Sequence, residues 1–122
     1  MKHQIWEGKE SDFQTTAARY LDHLQILWNH CPNGGSRHKR EAVNLKAQGV
    51  KAGFPDVAIY EPRGEFKGLF IELKRGGGKI STHQRVWLDR LQQRGYKVYK
   101  TESLDEFIEL VDNYLKIKPE SK

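Results

Sequence analysis

Asp56 stands at the mouth of an expected strand, and sixteen residues later Glu72 and Lys74 lie two apart on a second one. Side chains i and i+2 of a strand share a face, so Glu72 and Lys74 point together while Leu73 turns into the core. Two acids and an amine converging at a sheet edge can hold a divalent cation beside a water molecule. In such a site Asp56, Glu72 and the Leu73 carbonyl supply oxygens to Mg²⁺, and waters complete the octahedron. The cation polarises a scissile phosphate and lowers the pKa of a bound water. Lys74 orients or deprotonates that water, or steadies the developing negative charge. A protonated lysine is a poor base, which favours the electrostatic role. This is the chemistry of a metal-dependent phosphodiester nuclease.

Each acid has a plainer alternative. Asp56 follows Pro55, which holds its approach extended, and a strand-edge aspartate often serves only as a turn cap. Glu72 interrupts the apolar run Leu69-Phe70-Ile71 and Leu73. An unpaired carboxylate buried there is expensive, so Lys74, an arginine or a metal must satisfy it. The metal reading accounts for Asp56, Glu72 and Lys74 together. Glu10 is a third carboxylate, bearing on the metal directly or through water, against the ordinary role of a helix-start acid.

These residues need elements to position them. Phe13, Ala17, Tyr20, Leu21, Leu24 and Trp28 recur at spacings of three and four, predicting a helix over about 10–29. It begins either at a Ser11/Gln14 capping box or near Gly8; if it reaches Glu10, that carboxylate leans inward. Cys31-Pro32-Asn33-Gly34-Gly35-Ser36 breaks the chain, and a short helix over about 38–48 ends at Gly49. Strands follow at 56–60 and 68–74, joined by a hairpin connection with Pro62 and Gly64. The Arg75–Lys79 stretch is a mobile basic loop. Ser81-Thr82-His83-Gln84 has capping-box form and opens a helix that runs to Arg94 and stops at Gly95. A strand at 96–100 and a last helix capped at Ser103, with Leu104, Phe107, Ile108, Val111 and Leu115 inward, complete the order α, α, β, β, α, β, α. That order predicts an α/β sandwich with a right-handed parallel crossover over 68–100. A further short strand in 1–10 or 50–55 is open, and the tail from Lys118 is expected to be loose.

The chain's 122 residues make one domain, with a core over about 10–116. No apolar run approaches the roughly 18 residues that span a bilayer, and no signal-peptide segment opens the chain, so no membrane partner is expected. The single Cys31 suits a reducing compartment and a structural role. The net charge is +5 and unevenly spread. Arg37, Lys39, Arg40, Lys46 and Lys51 cluster against Glu41 alone, and Lys74, Arg75, Lys79, Arg85, Arg90 and Arg94 follow. From Glu102 to Asp112 the sign reverses. A basic surface opposed by an acidic helix suits a polyanion on one side, although a generic soluble surface can look similar. His23 and His30 lack a Cys/His partner pattern, so no zinc site is expected. His83, in a helix's first turn, reads as exposed. Asn33-Gly34-Gly35 with Arg37, Lys39 and Arg40 suggests a phosphate-contacting loop but lacks nucleotide P-loop spacing. Trp87 reads as core packing or as a stacking surface for a base.

With these residues assembled, the chain resembles a small stand-alone VRR-NUC domain of the PD-(D/E)xK nuclease superfamily, of the kind phages and prophages encode. The resemblance runs from Glu10 to Leu115. It rests on Glu10 ahead of the first helix, Gly49-Val50-Lys51-Ala52-Gly53-Phe54-Pro55-Asp56, and Phe70-Ile71-Glu72-Leu73-Lys74. Ser81, Gln84 and Trp87, then Gly95-Tyr96-Lys97-Val98, complete it. It implies a restriction-endonuclease-like three-layer α/β/α sandwich around a small mixed sheet. It also implies metal-binding acids at Asp56 and Glu72, a catalytic lysine at Lys74 and a helix-one acid at Glu10, with Glu7 and Asp12 close by. Gln84 matches the family's helix glutamine beside the active site. The activity implied is a Mg²⁺-dependent DNA endonuclease, with Mn²⁺ as substitute, in the cytoplasm of a bacterial or phage-infected cell. The likeness of this catalytic core to junction resolvases points to branched DNA such as four-way junctions, and to a homodimer. The alternatives are a non-catalytic DNA-binding accessory protein with the same fold, or an RNA-cleaving enzyme.

Overall fold

The computed structural model of the chain describes residues 3–32 and 39–120. Of the expected breaker over Cys31–Ser36 and the expected phosphate-contacting loop, the stretch 33–38 lies outside the described residues. Helix α1 covers Glu10–His23 and buries Phe13, Ala17 and Leu21, each four residues after the last. No side chain caps its start at Lys9, so the Ser11/Gln14 capping box does not form. The Trp6 indole N–H instead donates to the Lys9 carbonyl at 3.0 Å, and its ring stacks on Phe13.

The helix predicted to run to residue 29 stops at His23. Leu24 N–H folds back onto the Tyr20 and Leu21 carbonyls, and Gln25 takes a left-handed φ of 58°. That conformation disfavours a side-chain-bearing residue by about 1–2 kcal/mol. Anchors on both flanks offset it: Trp28 Nε1 donates to Asp22 Oδ1 at 2.9 Å and Leu27 N–H to Glu61 Oε2 at 3.0 Å. The chain then enters strand β1, Trp28–His30. The extra strand is therefore here, and the described part of 1–10 and the stretch 50–55 form none.

Helix α2 follows at Lys39–Ala47, strand β2 at Val57–Ile59, strand β3 at Leu69–Leu73, helix α3 at Thr82–Gln93, strand β4 at Lys97–Thr101 and helix α4 at Leu104–Lys116. The sheet order is β1-β2-β3-β4. β1 and β3 run antiparallel to β2, while β4 runs parallel to β3 after the α3 crossover. Alternation along β3 divides the core. Leu69, Ile71 and Leu73 pack with Phe13, Leu21, Phe107 and Val111 from α1 and α4. Phe70 faces the other way, toward Leu91 and Trp87 of α3. Burial on both faces explains the nearly continuous apolar run of this strand, each large side chain contributing about 1.5–3 kcal/mol. The result is the restriction-endonuclease-like α/β/α architecture, a small mixed sheet between helical layers.

The other two sequence-predicted caps form. Ser81 and Gln84 make a reciprocal capping box on α3, and the Ser103 hydroxyl accepts the Glu106 N–H on α4. The tail expected to hang loose is tied at its first residues. Gly64 N–H donates to the Lys118 carbonyl at 2.8 Å, and Pro119 bridges Gly64. Among the described residues no helix is long and apolar enough to cross a membrane.

Candidate active site

Asp56 sits where the chain enters β2, behind the fully buried Pro55. Its Oδ2 accepts the Leu73 N–H at 2.8 Å, which ties the carboxylate to the end of β3. Its own carbonyl accepts from the Cys31 N–H at 3.3 Å and from His30 Nδ1 at 2.7 Å, which ties the backbone to β1. Burial raises the pKa of Asp56, while the Leu73 amide and the His30 ring act the other way. His30 was passed over in the sequence because it lacks a metal-binding partner pattern. Only recognition of β1, which pairs His30 with Val57, brings it to Asp56.

Glu72 is 3% exposed. Its Oε2 accepts the Gln84 Nε2 donor at 2.7 Å and faces Lys74 Nζ at 3.6 Å. Its Oε1 is buried with no donor against it. Burial is the main cause that pushes Glu72 up to about 8; the neighbouring Asp56 charge adds to it and the Lys74 ammonium opposes it. In the protein without cation, Glu72 therefore holds its proton near neutral pH. Two carboxyl groups forced together in a desolvated place do not both ionise without a positive charge between them.

Gln84 serves two structures with one amide. Its Oε1 accepts the Ser81 N–H at 2.8 Å and completes the cap, while its Nε2 reaches Glu72. The preceding loop is pressed onto the same helix end. Gly53 has a φ of +89°, and a Cβ there would sit 2.5 Å from the His83 carbonyl carbon and 2.7 Å from the Gln84 nitrogen. Trp87 Nε1 adds a donor to the Ala52 carbonyl at 3.1 Å, and the Trp87 ring meets Phe54 edge-on. The glycine thus permits the close approach that joins the Asp56 loop to the Gln84 helix.

Glu10 is the first residue of α1, as the longer helix predicted, yet its side chain is exposed instead of leaning inward. Its Oε1 accepts the Arg75 N–H at 3.4 Å, and its charge is near enough to raise the pKa of Asp56. Among the described residues no three His, Cys, Asp or Glu side chains draw together as a metal-binding cluster. What converges is a pair, Asp56 and Glu72, with Glu10 at the border. Hard oxygen donors and an orphaned buried carboxylate oxygen suit Mg²⁺, which takes one or two carboxylates and keeps several waters.

The VRR-NUC domain family matches residues 7–103. The chain belongs to this family. VRR-NUC domains are related to the PD-(D/E)xK nuclease superfamily, and membership carries nuclease function in general. A solved VRR-NUC domain protein superposes with a TM-score of 0.76 at 27% identity, over 93% of each chain. A second solved VRR-NUC domain gives 0.58 at 24% identity, over 86% of this chain and 96% of the other, and shares the fold. No curated protein matches significantly.

Proposed function

We propose that this VRR-NUC chain is a Mg²⁺-dependent DNA endonuclease, with Mn²⁺ as substitute. The observation that carries this reading is the desolvated Asp56–Glu72 pair, with one Glu72 oxygen unpartnered and Lys74 beside the other. Asp56, Glu72 and the Leu73 carbonyl are the residues that would hold the cation, with Glu10 acting through water. A divalent cation there supplies Lewis-acid polarisation of the phosphate and a water acidic enough to attack near neutral pH.

The chain's own residues do the rest. The Leu73 N–H fixes the aim of Asp56, and Gln84 fixes that of Glu72. Lys74, half-buried at the end of β3 and anchored by its N–H to the Thr101 carbonyl, places an ammonium where negative charge develops on the phosphate. Such preorganised donors and charges are typically worth about 10²–10³ in rate each.

Branched DNA, four-way junctions among them, is the preferred substrate in this reading. One site cuts one strand, and a homodimer presents two sites with twofold symmetry. The test is cleavage of end-labelled four-way junction and matched linear duplex in Mg²⁺, Mn²⁺ or EDTA, with Glu72→Ala alongside. Metal-dependent, paired, near-symmetric junction cuts that vanish in the variant support the full reading. Equal cleavage of both substrates reduces it to a general nuclease. Binding without any cleavage replaces it with the accessory role.

A further inference from the structure

The flank of α3 that carries Val86, Trp87, Arg90 and Arg94 borders a groove of about 910 Å³, whose other wall is α2 and whose lip is the loop at 50–52. We propose that this groove seats an unpaired strand of the DNA being cut, the segment that leaves the scissile phosphate. The inference rests on the nuclease reading and adds to it a place for single-stranded substrate.

Charge is the first argument. Lys46 and Lys51 stand on one side of the groove and Arg90 and Arg94 on the other, and no acidic side chain is among the described residues that line it. Helix α4, which carries Asp105, Glu106, Glu109 and Asp112, packs its apolar side with α1 on the opposite face of the sheet. The groove therefore presents one sign of charge, which attracts a polyanion and repels a second copy of this +5 chain unless that copy offers its acidic helix.

The floor is the second argument. Leu45, Val86 and the partly exposed Trp87 give it an apolar and aromatic surface. Val50 and Val86 remain 45% and 44% exposed, and none of the described α2 side chains is buried. Cations above an apolar, aromatic floor are what a single strand requires, since phosphates take the charges while bases lie on the floor. A groove of this size has room for a few unpaired nucleotides.

Position is the third. One end of the groove is His83, and the next residue, Gln84, reaches Glu72. Its lip, at Ala52, is bonded to Trp87 and lies four residues before Asp56. A strand leaving the Asp56–Glu72 pair along α3 enters the groove directly. Base-independent contacts of this kind give structure selectivity without sequence readout.

The experiment is anisotropy titration of a fluorescent oligothymidylate in EDTA across a salt series, comparing wild type with Arg90→Gln/Arg94→Gln. Both arginines are exposed, and circular dichroism confirms that the variant is folded. Two lost phosphate contacts should flatten the slope of log K against log salt by about 1.4 and weaken binding about 20-fold at roughly 0.1 M salt. Identical affinity and slope overturn the proposal. So does a wild-type dimer that the double variant dissociates in sedimentation, which would assign the groove to a second copy. Cleavage assays run in parallel separate the two readings. Duplex cutting without a groove effect removes the groove alone; groove-dependent binding with no cutting in Mg²⁺ or Mn²⁺ removes the nuclease reading alone.

Discussion

Replacing Glu72 with Gln should change how the cation-free protein responds to pH. The group titrates at about 8 instead of 4.5 because it is buried beside Asp56. Below pH 4.5 it is protonated whether the chain is folded or not, and the stability it contributes is complete. Between 4.5 and about 8 the unfolded chain releases the proton while the folded one keeps it, so stability falls as pH rises. Each tenfold in proton affinity is worth about 1.4 kcal/mol, which makes the loss about 3 kcal/mol by pH 7. For a domain of this size that is a Tm change on the order of 10 °C. Glutamine is neutral throughout and removes this dependence. Thermal melts of wild type and Glu72→Gln at pH 5 and pH 8 in EDTA read the difference, since titrating groups other than the neighbouring Asp56 move both proteins alike. Wild type should lose markedly more stability over that range than the variant. Parallel behaviour would refute the claim that Glu72 is a desolvated carboxyl held against a second acid.

Two further outcomes follow from the same geometry. Gln84→Glu keeps an acceptor for the Ser81 N–H but removes the donor to Glu72; melting should shift by the equivalent of about 1 kcal/mol or less, while metal-dependent cleavage falls about 10–100-fold, as for residues that orient metal ligands. Gly53→Ala forces a Cβ against the start of α3 at a positive φ, so urea unfolding should show a loss of about 1–3 kcal/mol, with reduced cleavage as the Asp56 loop shifts.

Much of this site was legible because its residues violate local rules. A carboxylate inside Leu69–Leu73 has no reason to be there without a partner, and the i, i+2 spacing placed Lys74 beside it. The capping box revealed Ser81 and Gln84, though the second bond of that amide to Glu72 needed the fold. What stayed hidden was β1. Trp28 lies four after Leu24 and seven after Leu21, so the helical stripe continued on paper past the real end of α1. The turn uses Gln25, a residue type with no left-handed signature, and three strand residues are too few to show alternation. With β1 unseen, His30 had no route to Asp56. The exposure of Glu10 was hidden for a related reason, because periodicity fixes a face and not how far a first-turn side chain projects.

The account stands on a cation held between Asp56 and Glu72. Anomalous diffraction from crystals soaked in Mn²⁺ locates the ion without relying on activity. The account predicts a Mn²⁺ peak bounded by the Asp56 and Glu72 carboxylates and the Leu73 carbonyl, absent from Glu72→Ala crystals. A Mn²⁺ bound elsewhere, or a wild type that binds none and still cleaves DNA in EDTA, would contradict it.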